Sequence, residues 1–206
     1  MTTRRTILKA VAGSAAAAAV LAGCGAATSP AGSPATNQPA ASPTAPAAEY
    51  NPPGDIPDNQ AFVVYTAADN SYSVKYPEGW AQTAVGADVV FSDKFNSITL
   101  SPHDGFYQPT EDFARTVEMP QIAAETRGFA PGQVSTVARP AGQVVVISYQ
   151  GDSAPSPVTG KSVKQDVVRY EYSRSGRGVV VTVAAPVGSD NVDPWRTVTD
   201  SFTWLR

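Results

Sequence analysis

The chain has 206 residues and a formal charge of −3 at neutral pH, with one cysteine, Cys24, and one histidine, His103. That length allows one ordinary domain, or one domain plus tails. The acidic balance disfavours a nucleic-acid binder, and so few thiol and imidazole groups nearly exclude a Cys/His zinc site, an internal disulfide or a Cys–His catalytic pair.

The N-terminus carries Arg4, Arg5 and Lys9, then an apolar run from Ala10 to Leu21, then Leu21-Ala22-Gly23-Cys24. The run is shorter than the ~20 residues needed to span a bilayer and has the form of a signal-peptide core. The segment Thr3-Arg4-Arg5-Thr6-Ile7-Leu8-Lys9 resembles the twin-arginine export motif, with general secretion as the alternative. Leu21-Ala22-Gly23-Cys24 resembles the bacterial lipobox. Residues 1–23 are therefore expected to be cleaved, and Cys24 to take a diacylglycerol on its thiol and a new amino terminus. Each buried methylene is worth ~0.8 kcal/mol and stable anchoring takes two chains, which a diacylated cysteine supplies. Removing residues 1–23 takes three of the fifteen cations, leaving twelve against eighteen anions, a formal −6.

Residues 24–59 read as a tether. Gly25 to Ala48 is uncharged and Ala/Pro/Ser/Thr-rich, with prolines at 30, 34, 39, 43 and 46 and more at 52, 53 and 57. Without apolar periodicity it has no core to offset the entropy of ordering, so it is expected to be disordered with polyproline II bias. Fully extended it reaches ~100 Å, and as a coil it spans ~35 Å.

Residues 60–206 have globular composition, and strands dominate their pattern. Phe62 to Tyr65 is a short candidate. Tyr72, Val74 and Tyr76 alternate with Ser71, Ser73 and Lys75, a period of two. Pro77-Glu78-Gly79 is a turn after which Trp80 restarts the chain. Asp88 to Phe91 and Ser97 to Leu100 read as a hairpin around Asp93–Asn96. Thr110 is placed to cap a helix beginning Glu111-Asp112-Phe113, with Phe113 and Val117 on one face. Pro120 should end or kink it, and a second piece containing Ile122 should run toward Gly128. Ser135 to Ala138 is short, whereas Gln143 to Tyr149 is a continuous apolar run expected at the sheet centre. Val168, Tyr170 and Tyr172 alternate with Val167, Arg169 and Glu171, turn at Ser173–Arg177, and return as Val179 to Ala185. Asp193 and Pro194 suit the cap and first position of a last helix bearing Trp195, Val198 and Phe202; Phe202 and Trp204 suit a last short strand equally well. Short turns between consecutive strands imply an antiparallel sheet covered by helices, an α+β architecture.

Chemistry-bearing residues are sparse. His103 beside Asp104 suits a base or ligand, or simply an exposed loop. Glu111/Asp112 and Asp190/Asp193 are carboxylate pairs that suit weak Ca²⁺ binding, but capping accounts for them more simply. Trp80, Trp195 and Trp204 suit a ligand pocket or a core. Arg169, Arg174 and Arg177 gather on the last hairpin and suit a partner-facing edge or a solvated one. No Gly-x-Ser-x-Gly elbow, phosphate loop or Gly-x-Gly-x-x-Gly occurs.

Asp69-Asn-Ser-Tyr-Ser-Val-Lys-Tyr-Pro-Glu-Gly-Trp80, followed by Ala87-Asp-Val-Val-Phe91, resembles the opening of PsbP-like domains, and Val198-Thr-Asp-Ser-Phe202 resembles their final helix. The resemblance covers residues 60–206 and implies the PsbP/Mog1-type α/β/α sandwich with a central antiparallel sheet. The best-known members are extrinsic photosystem II subunits, and relatives are adaptor or assembly factors. The family's metal-ligand residues do not map onto this sequence. The expected protein is a non-catalytic, cofactor-free lipoprotein on the extracytoplasmic face of the cell membrane. It meets the membrane through lipidated Cys24 and binds an envelope protein, with no role in nucleic-acid binding. The alternative is a carrier of a small hydrophobic ligand.

Overall fold

A computed structural model describes residues 54–103 and 105–206. Arg4, Arg5, Cys24 and nearly all of the expected tether lie outside the described residues, as does Asp104.

Among the described residues, ten strands form two antiparallel sheets. The small sheet has the order β1 (Phe62–Thr66), β2 (Tyr72–Pro77), β10 (Thr203–Trp204). The large one has the order β3 (Ala81–Val85), β4 (Asp88–Asp93), β5 (Asn96–His103), β9 (Arg177–Pro186), β8 (Lys164–Arg174), β7 (Gly142–Asp152), β6 (Ala130–Arg139). The link between β2 and β3 is Glu78-Gly79-Trp80, the end of the Tyr-Pro-Glu-Gly-Trp segment. Gly79 adopts φ +86°, a value that L side chains resist, so glycine suits this turn.

The period of two in β8 sorts its side chains onto two covered faces. Tyr172 joins the main core with Phe91, Ile98, Leu100, Val181, Val183 and Phe202, beneath the small sheet and helix α3 (Val192–Asp200). The opposite face of the large sheet lies under a helical stretch made of α1 (Glu111–Phe113), a π-helical turn (Ala114–Glu118) and α2 (Met119–Glu125). There Ala114 and Ile122 pack on Val134, Val145 and Ile147. Helices on both sides of an antiparallel sheet give the expected α+β sandwich, with the small sheet added to one layer.

Several local expectations change. Thr110 caps as expected, its Oγ1 accepting from the Phe113 N–H at 3.1 Å. Phe113, however, is 45% exposed, and the inward face is Ala114, Glu118 and Ile122. Pro120 does not end the helix. The π turn closes between the Met119 N–H and the Ala114 carbonyl, and Pro120 falls in the first turn of α2, where a missing N–H is tolerated best. That helix stops at Glu125, short of Gly128. Strand β7 is next to the edge and β9 is central; β7 reads as continuously apolar because both its faces are covered, Val144 by one core and Val145 and Ile147 by the other. The last helix starts at Val192 after Asn191, not at Asp193. β3 is an unforeseen strand, and β6 is longer than its apolar residues suggest.

Candidate functional site

The arm Gly54–Gln60 is fastened by a buried asparagine. Asn191 Oδ1 accepts from the Ile56 N–H at 2.7 Å, and its Nδ2 donates to the Gly54 carbonyl at 2.9 Å. Asp55 accepts from the Asp190 N–H at 2.9 Å. Across from the arm, the β4–β5 turn is tied to β8 by Gln165 Nε2 donating to the Phe95 carbonyl at 2.6 Å. Between these elements opens a mostly apolar cleft of about 760 Å³, walled by Ile56, Pro57, Trp80, Phe95, Val163 and Pro186. Trp80 is held edge-on by Trp195, with ring centroids 6.2 Å apart. The volume and lining suit a small, largely apolar ligand.

A second cluster lies under the helical stretch. Glu171 on β8 has no exposed surface, and Glu118 at the end of the π turn is 8% exposed. Arg169 serves both, its Nη2 standing 3.7 Å from Glu171 Oε1 and 3.8 Å from Glu118 Oε1. Tyr107 enters from the β5–α1 loop, tied by its N–H to the Gly176 carbonyl at 2.7 Å. Its ring lies over Gly178, where a Cβ would overlap it, so glycine is required there. No well-aligned hydrogen bond reaches either Glu171 oxygen among the described residues, although Glu118 and the Tyr107 hydroxyl lie close enough to act on its proton. Burial, and then the Glu118 charge, push the Glu171 carboxyl up to about 8, while Arg169 pulls it down. Burial and the two carboxylates also push the Tyr107 hydroxyl up. Two acids sharing one guanidinium thus hold a proton at neutral pH. Arg169 reaches solvent at the rim of the cluster, its side chain 24% exposed, but Glu171 is fully covered, so it can couple stability to pH and has no surface on which to meet a substrate.

No family model and no curated protein matches the chain. Solved structures do. Cyanobacterial PsbP (CyanoP) from Synechocystis superposes with a TM-score of 0.52 at 16% identity, over 70% of this chain and 93% of its own. The fold is of the PsbP/Mog1 type. The Saccharomyces cerevisiae Ran-binding protein Mog1p matches with a TM-score of 0.45 at 11% identity, over 71% of this chain and 96% of its own. A Bacteroides thetaiotaomicron protein matches at 0.46 and 11% identity over 69% of this chain, which spans about half, 48%, of that protein's length.

Within this PsbP/Mog1-like domain the sequence-named residues disperse. His103 ends β5 rather than lying in a loop and stacks on Tyr107, ring centroids 3.9 Å apart. Glu111 pairs with Arg115 at 2.7 Å, and Asp193 with Arg196 at 3.8 Å. Among the described residues no three His, Cys, Asp or Glu side chains converge to hold a metal, and no helix is long and apolar enough to cross a membrane. Of the tryptophans, Trp80 lines the cleft and Trp195 backs it, whereas Trp204 is in the core under the Arg174 guanidinium, 5.6 Å from its ring. Arg169 does not cluster with Arg174 and Arg177. It turns to the helical face, while they stay at the hairpin tip, with Arg177 donating to the Arg206 carbonyl. Tyr107, Glu118 and Glu171 escaped sequence reasoning. The usable signal was the pair Arg169/Glu171 set among Val167, Val168, Tyr170 and Tyr172.

Proposed function

We propose that this chain is a non-catalytic lipoprotein, anchored to the extracytoplasmic face of the cell membrane through lipidated Cys24, whose PsbP/Mog1-like domain binds or assists assembly of an envelope protein. The observation that carries the reading is Leu21-Ala22-Gly23-Cys24, set behind a cationic start and an apolar run, with the chain's single cysteine at the position a lipobox demands. The Ala/Pro-rich tether then lets the domain reach a partner away from the bilayer. The full burial of Glu171 supports a binding role over a catalytic one. Cys24→Ala in the full chain should move most of the protein from the membrane to the soluble fraction, because two acyl chains are lost at once. Retention on washed membranes would defeat the anchor.

The cleft favours a second reading, a carrier of a small hydrophobic ligand. On that reading the apolar dye phenylnaphthylamine binds with enhanced fluorescence, and Trp80→Ala weakens it about tenfold, equivalent to ~1.4 kcal/mol. Equal binding by both proteins would remove the cleft from consideration.

A further inference from the structure

Strand β3 ends the large sheet, and all five of its residues are exposed. An outer edge presents unpaired N–H and C=O groups, which proteins ordinarily blunt with charge, proline or a bulge. The opposite edge, β6, is blunted in this way by Pro131, a register break between Pro131 and Val134, and Arg139. Strand β3, Ala81-Gln82-Thr83-Ala84-Val85, has none of these. Its pairing with β4 is regular from Ala81↔Ser92 to Val85↔Asp88 and closes on the two-residue turn Gly86–Ala87. In such a hairpin the closing pair exchanges hydrogen bonds, so Val85, Thr83 and Ala81 face β4 while Gln82 and Ala84 aim their N–H and C=O groups outward.

We propose that the β3 edge is a docking site at which an extended segment of a partner protein adds as an eighth strand, an uncharged β-branched run flanked by basic residues at both ends. The proposal rests on the adaptor reading above and names its contact. Charge selects the occupant. Glu78 precedes β3 in an exposed turn, and Asp88 follows it. Asp93 and Lys94, near the Trp80 end, offset each other at 3.8 Å. A second copy pairing antiparallel about Thr83 would bring Glu78 of each chain toward Asp88 of the other, and opposed like charges disfavour that pairing. A partner strand with Lys or Arg at both ends turns the same two acids into attractions. The chain's own tether does not fit, because prolines at 30, 34, 39, 43 and 46 leave too few N–H groups for a ladder. Main-chain bonds would supply affinity, and the end charges would supply orientation and choice.

The test uses the full chain and a labelled peptide of alternating valine and threonine flanked by lysines, N-methylated on alternate residues so that it cannot stack on itself. A glutamate-flanked twin is the control. The lysine peptide should bind at least tenfold tighter than its twin. Ala84→Pro removes an outward N–H without touching the β3–β4 ladder and should cut binding at least tenfold at unchanged melting temperature. Glu78→Lys should weaken the lysine peptide and induce self-association in sedimentation. Equal binding of the two peptides, indifference to Ala84→Pro, or dimerisation of the unaltered chain through β3 would each overturn the proposal. If an envelope protein cross-links to the unaltered chain and to Ala84→Pro equally, the adaptor reading survives and the edge is refuted.

Discussion

Glu171→Gln should leave the domain more stable than the unaltered protein at pH 8, and hardly different from it near pH 4.5. The folded protein holds the Glu171 proton up to about 8, whereas an unfolded chain releases it in the ordinary carboxylate range. Between those limits the folded state carries the extra proton, so stability falls as pH rises through the window and is flat above it. Each pH unit of such a window is worth ~1.4 kcal/mol. Glutamine keeps the volume and cannot ionise, and it leaves Glu118 and Arg169 as a one-to-one pair. A gain of at least ~2 kcal/mol at pH 8 is expected, with a flattened profile between pH 5 and 8 in urea titrations. Arg169→Met is the converse. It strands the Glu118 carboxylate, beside a Glu171 that still holds its proton, without their cation, and breaking a buried pair in this way costs ~3–5 kcal/mol. Parallel pH profiles for Glu171→Gln and the unaltered chain would mean that Glu171 already sheds its proton in the ordinary range.

The sequence disclosed most where one face of an element meets a core. Tyr72, Val74 and Tyr76 alternate with polar residues, and β2 lies where they place it. The same holds for β8 and β9 with their tip at Ser173–Arg177. Alternation sorts side chains onto two faces but does not say what covers each face. Arg169 and Glu171 stand opposite Val168, Tyr170 and Tyr172 and so look solvated, yet the helical stretch lies over them and supplies Glu118. Strand β3 was silent for the opposite reason. Exposed on both faces, Ala81-Gln82-Thr83-Ala84-Val85 has no apolar side to repeat, and it pairs because Gly86–Ala87 folds it onto β4.

The expected cap at Asp193 shows another limit of local pattern. Asp193-Pro194 is a good helix start in isolation, but the helix begins two residues after Asp190, at Val192. Asn191 precedes it with its side chain committed to Ile56 and Gly54. A long-range demand, fastening the arm, outweighed a local one. The cleft was illegible for the same reason. Its walls come from the arm, the residue after the Gly79 turn, the β4–β5 turn, Val163 and the end of β9, which only the tertiary fold brings together. The PsbP-like resemblance carried by Tyr-Pro-Glu-Gly-Trp, by contrast, pointed to the fold that the structure has, since that segment joins the two sheets.

Phe202→Ala should be the most damaging single truncation in the domain. Phe202 is 1% exposed and lies at the centre of an aromatic group. Its ring is stacked on Tyr172 at 4.1 Å and on Tyr72 at 5.5 Å, and it meets Trp204 edge-on at 5.1 Å. These three partners come from β8, β2 and β10, so one side chain joins the large sheet to the small one just where α3 ends. Tyr172 also donates from its hydroxyl to the Thr199 carbonyl at 2.6 Å, which fastens α3 to the same group. Burying a phenylalanine and then deleting it costs ~3–5 kcal/mol when neighbours cannot collapse into the space. Stacked and edge-on rings add ~0.5–1.5 kcal/mol per pair beyond burial. A loss of ~4 kcal/mol is expected, against a total of ~5–15 kcal/mol for a domain. That corresponds to a fall of about 10 °C in melting temperature at this size. Trp204 should lose its packing with Phe202, so its emission should shift to the red in the folded variant. Phe113→Ala, which truncates the same residue type at a 45% exposed position, should change stability by no more than ~0.5 kcal/mol. Similar losses at the two positions in paired urea titrations would show that Phe202 does not join the two sheets in the way its ring contacts imply.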